Sequence, residues 1–219
     1  MRPEQQGSSA RVLVESGLAG LVVGLLVVAP WIGSGYLLLL DWVSGPEQAL
    51  TPGVYGLSGS ALDAMPFRLA TQGLRDVVGP AATAWLLILM FFPVAAAGAA
   101  AATGGGRWRA FPAALLMVVN PFVVDRIRAG HVAVLLGVAI LPWLFSAALH
   151  ARRQRKPFAV RPALFYALAI SISPHMAWLG GVLLVAVAFL PRPTKVDLLR
   201  TLQVVVTASL VYGYALVLY

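Results

Sequence analysis

The chain has 219 residues, 60% of them hydrophobic and 11% charged, with a mean hydropathy of +0.85, against about 45–50% apolar and about 25% charged in soluble domains. Those proportions exclude a water-soluble fold around a single core. A formal charge of +8 does not make a nucleic-acid surface here, because the basic residues are scattered among gaps between apolar runs, and the lack of cysteine excludes disulfides and thiolate metal sites.

The first apolar run extends from Gly17 to Leu40, behind a polar tail over 1–16 that carries Arg2 and Arg11 and is expected on the cytoplasmic side. It is much longer than the roughly 7–15 residues of a signal-peptide core and ends without a small-x-small pattern, so a retained first span is expected. Gly20 and Gly24 form a GxxxG in it, a spacing that lets helices approach closely. Residues 41–76 mix Trp42, Tyr55, Met65, Phe67 and Leu69 with polar residues, which predicts short helices lying in the membrane interface. Val77 to Ala102 is a second span of full length, since about 20 residues at about 1.5 Å each cross a hydrocarbon core of about 30 Å. Gly104 to Gly106 lacks the Gly-Lys-Ser/Thr of a phosphate loop and reads as a connector.

Phe111 to Val124 is short for a span, Val132 to Leu149 is nearly sufficient, and Thr201 to Tyr219 is again about one span. Ala163 to Leu190 is too long for one untilted helix and is interrupted by Ser173, Pro174 and His175. Orientation decides how it crosses. With the N-terminus in the cytoplasm, Arg107 and Arg109 lie inside after two spans, and Arg152, Arg153, Arg155, Lys156 and Arg161 lie inside after four. Arg192, Lys195 and Arg200 join them only if Ala163 to Leu190 crosses twice. Proline gives that bend a local cause, because it disfavours helix at the residue before it and donates no hydrogen bond.

The expected architecture is all-α: a polytopic transmembrane helical bundle of about seven membrane segments, forming a single domain over 17–219. Its outer loop is 41–76, its outer hairpin 120–131 and its outer bend 173–175. Breaks at Asn120-Pro121 and Ser173-Pro174 would line a cavity open to the exterior, because non-helical backbone at membrane depth must be shielded by protein or wetted. Ordinary short loops in a thin region are the alternative.

On that topology Asp41, Asp125, Arg126, Arg128, His131 and His175 gather on the side where basic residues are not expected. Asp41 follows Leu37 to Leu40, where a carboxylate either ends the span or accepts a proton from a substrate hydroxyl. In NPFVVDRIRAGH, the charges of Asp125, Arg126, Arg128 and His131 fall between two apolar runs, so some of them must face protein or water. Guanidinium groups bind phosphate through paired hydrogen bonds, and the alternative is a structural Asp125–Arg126 ion pair. His175, beside Pro174, either donates to a phosphate or ends a helix. His150 lies among arginines and reads as part of a basic face. No His-Glu-x-x-His or Gly-x-Ser-x-Gly site appears.

Asp41 in LLLLDW, the long first outer loop, Asp125 in the next, and the run NPFVVDRIRAGHVAVLLGVAILPW together resemble the GT-C superfamily of polytopic membrane glycosyltransferases, with a stretch similar to large actinobacterial and archaeal members. The resemblance implies an N-terminal seven-span module, the front of a longer polypeptide, in a bacterial or archaeal plasma membrane. It also implies inverting sugar transfer from a polyprenyl-phosphate-linked donor to a glycan or lipid acceptor at the outer face. Asp41 would be the general base and Asp125 a second acidic site, while Arg126, Arg128, His131 and His175 would hold the lipid phosphate, with no cofactor and no tightly bound metal. The rival class is a non-enzymatic membrane protein, either a transporter or flippase-like component or an assembly scaffold. A transporter needs ionisable groups near the midplane, and the sequence instead sets long apolar stretches between its two sets of charges.

Overall fold

The computed structural model describes residues 3–31, 39, 41–42, 65–104, 106–154, 159–190, 194–210 and 213. Among them every regular element is a helix: α1 (Pro3–Val28) with a short 3-10 turn (Ala29–Trp31), α2 (Met65–Val78), α3 (Pro80–Thr103), α4 (Arg107–Val118), α5 (Pro121–Ala129), α6 (Val132–Arg153), α7 (Val160–Ile172), α8 (His175–Ala188) and α9 (Lys195–Ser209). Four stretches are long and apolar enough to cross a membrane: Ala10–Trp31, Pro80–Thr103, Arg107–Ala129 and Val132–Arg153. The helices are apolar outside as well as inside. Leu26, Leu116, Leu164 and Trp178 are 71%, 72%, 65% and 75% exposed, as suits surfaces facing hydrocarbon.

Two boundaries differ from the sequence expectation. The tail expected over 1–16 is helical from Pro3. Glu15, its acidic residue nearest the apolar run, lies between Arg11 (2.9 Å) and Arg107 Nε (2.8 Å), which ties α1 to the start of α4. The short segment expected over Phe111 to Val124 is lengthened by α5, and α4 with α5 makes a 23-residue apolar stretch bent at Asn120. Asn120 is extended before Pro121; its amide donates to the Leu116 and Met117 carbonyls and accepts from Val123 N–H. One side chain thus serves the exposed ends of both helices, and residues 120–129 continue a helix where an outer hairpin was expected.

Glycines set the helix spacing. A Cβ on Gly20 would stand 2.6 Å from both Ala96 Cβ and the Phe92 carbonyl oxygen, and one on Gly24 would strike the Phe92 ring. The GxxxG of α1 is therefore the seat of α3. Gly98 of α3 receives the Trp143 indole of α6, whose N–H donates to the Val94 carbonyl at 3.0 Å.

The run Ala163 to Leu190 doubles back. Tyr166 lies seven residues before Ser173 and Gly180 seven after it, yet the Tyr166 ring fills the space a Gly180 side chain would need, and its hydroxyl donates to the Ala177 carbonyl at 2.5 Å. Its two open ends are held by different helices: Arg152 at the end of α6 donates to the Leu190 carbonyl at 3.2 Å, and Gln203 of α9 accepts from Ala159 N–H at 3.4 Å. The tip is level with Gly137, whose missing side chain makes room for Met176 and Ser173. Gly137 lies five residues into α6, so the tip stops about 8 Å short of that helix's start. At 13 and 14 residues, α7 and α8 are each about 20 Å long and do not match the hydrocarbon thickness.

At the open end of this hairpin, α9 begins with a capping box: Thr194 Oγ1 accepts from Asp197 N–H, and the Asp197 carboxylate accepts from Thr194 N–H. Burial pushes the Asp197 carboxyl up, but the Thr194 hydroxyl and backbone N–H and the Arg152 guanidinium outweigh it and hold the carboxyl below its ordinary value. A depressed carboxyl stabilises the fold above its unfolded value, and that contribution is lost as pH falls through the folded one. Thermal stability of the detergent-purified chain is thus expected to fall below pH 3.8, with a shallower fall in Asp197→Asn. Gly20→Leu is expected to destabilise by about 1–3 kcal/mol through overpacking against backbone. Gly73→Ala, where nothing lies within 4 Å, should stabilise α2 by about 0.5–1 kcal/mol, both read by thermal denaturation.

Candidate functional site

Helix α5 ends at Gly130, whose left-handed φ of 78° closes the turn through Gly130 N–H to the Ile127 carbonyl (3.0 Å) and His131 N–H to the Arg126 carbonyl (2.9 Å). A glycine is required here twice over, because a Cβ would also stand 2.7 Å from the Trp42 backbone nitrogen. Asp41 N–H donates to the Ala129 carbonyl at 2.9 Å, and Leu39 and Trp42 exchange backbone hydrogen bonds at 2.9 and 3.2 Å. Main-chain hydrogen bonding and the bare Gly130 therefore seat the end of the first apolar run on the α5–α6 turn.

That docking brings side chains together. Asp41 Oδ2 lies 2.5 Å from His131 Nε2, and His131 Nδ1 lies 2.7 Å from Arg126 Nη1. Arg126 in turn donates from Nε (3.0 Å) and from Nη2 to the Asp125 carboxylate, and its guanidinium stands 5.7 Å from the Phe122 ring centroid. Arginine only donates, so His131 Nδ1 accepts, and Nε2 carries the proton that goes to Asp41. The carboxylates are the exposed members, with Asp41 and Asp125 side chains 54% and 64% accessible against 30% for His131 and 32% for Arg126. The geometry thus offers solvent an oriented carboxylate backed by a fixed imidazole.

Four of the six residues expected at a site are joined in this network. Arg126 is committed to Asp125 and His131, which leaves it a positioning group and takes away the open fork that phosphate binding needs. Arg128 is exposed in the last turn of α5 and makes no hydrogen bond or ion pair among the described residues. His175 is exposed at the start of α8, with Nδ1 3.4 Å from Ser173 Oγ, and no contact among the described residues links it to Asp41. The rest of the expected outer cavity's rim, residues 43–64 with Tyr55, lies outside the described residues. Of the short helices expected within residues 41–76, the described residues contain α2, which is amphipathic: it packs Phe67 and Leu74 against the core and exposes Leu69 and Val77.

Trp42 was legible only as an interfacial aromatic, yet it packs against the main core with its indole N–H buried and unpaired among the described residues. Gly130 was legible as a helix stop in Arg-Ala-Gly-His, but its role as a seat for Trp42 was not. No group of three or more metal-ligating side chains occurs among the described residues. Comparisons with protein-family profiles, with curated proteins and with solved structures find no match.

The tautomer is directly measurable. Ring 15N NMR of His131 is expected to show the Nε2-protonated form in the wild type, and a dominant Nδ1-protonated form would contradict the Arg126 contact.

Proposed function

We propose that this chain is a membrane glycosyltransferase module that transfers a sugar from a polyprenyl-phosphate donor to an acceptor hydroxyl at the extracytoplasmic face. The observation that carries this reading is the Asp41–His131–Arg126–Asp125 network, an exposed carboxylate oriented at the end of apolar, membrane-length helices. The proposed topology has about seven membrane segments with the N-terminus inside, α7 and α8 forming a re-entrant pair and Thr201 to Tyr219 the last segment.

Asp41 Oδ2 accepts from His131, which leaves Oδ1 to take the acceptor proton. As that proton leaves, the acceptor oxygen bonds to the anomeric carbon from the face opposite the phosphate. The carbon–oxygen bond to the phosphate breaks with its electron pair and the anomeric configuration inverts. The role of meeting the charge that develops on the departing lipid phosphate is assigned to Arg128, a cation exposed in the last turn of α5. Asp125 and Arg126 hold the imidazole and do not touch substrate. The lipid tail approaches along the exposed apolar faces of the bundle.

A scaffold reading draws on the exposure of Asp41 and Asp125, which would then meet a partner protein. The two readings separate in one assay. In membranes supplied with a lipid-linked sugar donor, Asp41→Asn is expected to lose about 100- to 10,000-fold in transfer rate. Arg128→Ala should weaken donor use with the protein level unchanged. Transfer unaffected by Asp41→Asn would reject the base assignment and favour the scaffold.

A further inference from the structure

Helices α1 and α4 are joined at one corner of the bundle, where Val12, Ala100 and Ala110 form a small buried core between α1, α3 and α4. Polar contacts fix the same corner. Glu15 Oε1 accepts from Arg11 Nε at 2.9 Å and from Arg107 Nη2, and Glu15 Oε2 accepts from Arg107 Nε at 2.8 Å. These cations are spread over the surface: the Arg11 and Arg107 side chains are 75% and 56% accessible, and Arg109 is exposed. Between the two arginines of α4 stands Trp108, at 95% the most exposed large apolar side chain among the described residues.

Trp108 heads a face that is apolar and exposed along the length of α4. Pro112, Leu115 and Val119 follow it at four, seven and eleven positions, the helical repeat, and all are exposed. On α1 the exposed Val14, Leu18, Val22 and Leu25 form the same kind of row, with Arg11 at its head. Both faces therefore pass from apolar side chains to guanidinium groups at one level, which Glu15 sets by holding Arg11 and Arg107 together. Tryptophan is favoured where hydrocarbon gives way to head groups, because its ring is apolar and its N–H polar. A phospholipid matches the whole surface in order: chains along the two apolar rows, ester region at the indole, and phosphate at the guanidinium groups, which bind it by paired hydrogen bonds. A soluble acidic partner would match only the cationic end.

We infer that the corner of α1 and α4 at Arg11, Trp108 and Arg109 is a docking surface for the head groups of anionic phospholipids in one leaflet. Arg11 and Arg109 meet the phosphates, Trp108 sets the depth, and Arg107, held by Glu15, keeps the two helices in register. The surface lies at the start of the α4–α5 stretch, whose other end carries the Asp41 network, and it does not depend on the reaction proposed there.

The test uses the full chain reconstituted in bilayers of phosphatidylglycerol and phosphatidylcholine at equal mole fractions, with brominated chains on one lipid or the other. Bromine quenches tryptophan on contact, and the difference between wild type and Trp108→Phe isolates Trp108 from the other tryptophans. Phosphatidylglycerol is expected to be favoured over phosphatidylcholine at Trp108 by at least about fivefold. Arg109→Gln should lower that preference about fivefold, and Arg109→Lys, which keeps the charge, should retain most of it. Raising the ionic strength to about 1 M, where charges are screened beyond about 3 Å, should remove most of it in the wild type. Arg161→Gln, an exposed cation at the start of α7, should leave it unchanged. All three substituted side chains are exposed, so each variant is expected to fold. Equal quenching from both lipids, a preference indifferent to Arg109→Gln, or a Trp108 quenched by aqueous acrylamide and by neither lipid would overturn the inference. Trp108 shielded from lipid and acrylamide alike would overturn it in favour of a protein partner.

Discussion

The reversal of the chain at Ser173 and Pro174 rests on a close approach between α7 and α8, in which the Tyr166 ring takes the volume that any side chain at Gly180 would occupy. In an apolar surrounding there is little hydrophobic force between helices, so packing contact and hydrogen bonding must hold them. Tyr166 contributes both, since its hydroxyl reaches the Ala177 carbonyl in the first turns of α8. With that pair in place, the ends of α6 and α8 and the start of α9 meet, and Arg152 finds both the Leu190 carbonyl and Asp197. A single straight helix through 160–188 would carry those groups to opposite ends of the bundle.

The two polar clusters follow from how each end is closed. At the α5–α6 turn, Gly130 and the backbone of residues 39, 41 and 42 make close contact, and the Asp41 and Asp125 carboxylates face solvent. At the other end the side chains themselves do the docking. Asp197 serves at once as helix cap, as partner to Arg152 and as partner to Arg200, and it is buried because three elements converge on it. An exposed carboxylate oriented by a histidine suits proton transfer, whereas a saturated buried carboxylate between two guanidinium groups suits holding a helix junction.

Asn120-Pro121 and Ser173-Pro174 show where sequence reading stops. Both are a polar residue forced extended by a following proline, and both were legible as breaks. After the first the chain continues in α5, whose Val123 and Ile127 are buried in the same core as Val118 of α4. After the second it turns back, because Met176 finds Gly137 and Gly180 finds Tyr166. Local stereochemistry is alike in the two places, and what differs is the packing partners, which are not adjacent in the sequence: Gly137 lies 39 residues from Met176 and Tyr166 lies 14 from Gly180. The Asp41 pairing is of the same kind: Asp125, Arg126 and His131 are neighbours on one turn, but Asp41 reaches them across 90 positions.

Composition, run length and the spacing of charges were sufficient by themselves for the all-helical, membrane-length character of the chain, for α2 as an amphipathic element and for the positions of both prolyl breaks, because hydropathy and backbone stereochemistry act within a few residues. Only the tertiary structure decided that one break bends and the other reverses, that Arg126 serves His131 and Asp125, and that Arg152, Asp197 and Arg200 share a buried junction. Those outcomes depend on which glycine lies opposite which bulky side chain, and that is a property of packed helices which no single stretch of sequence contains.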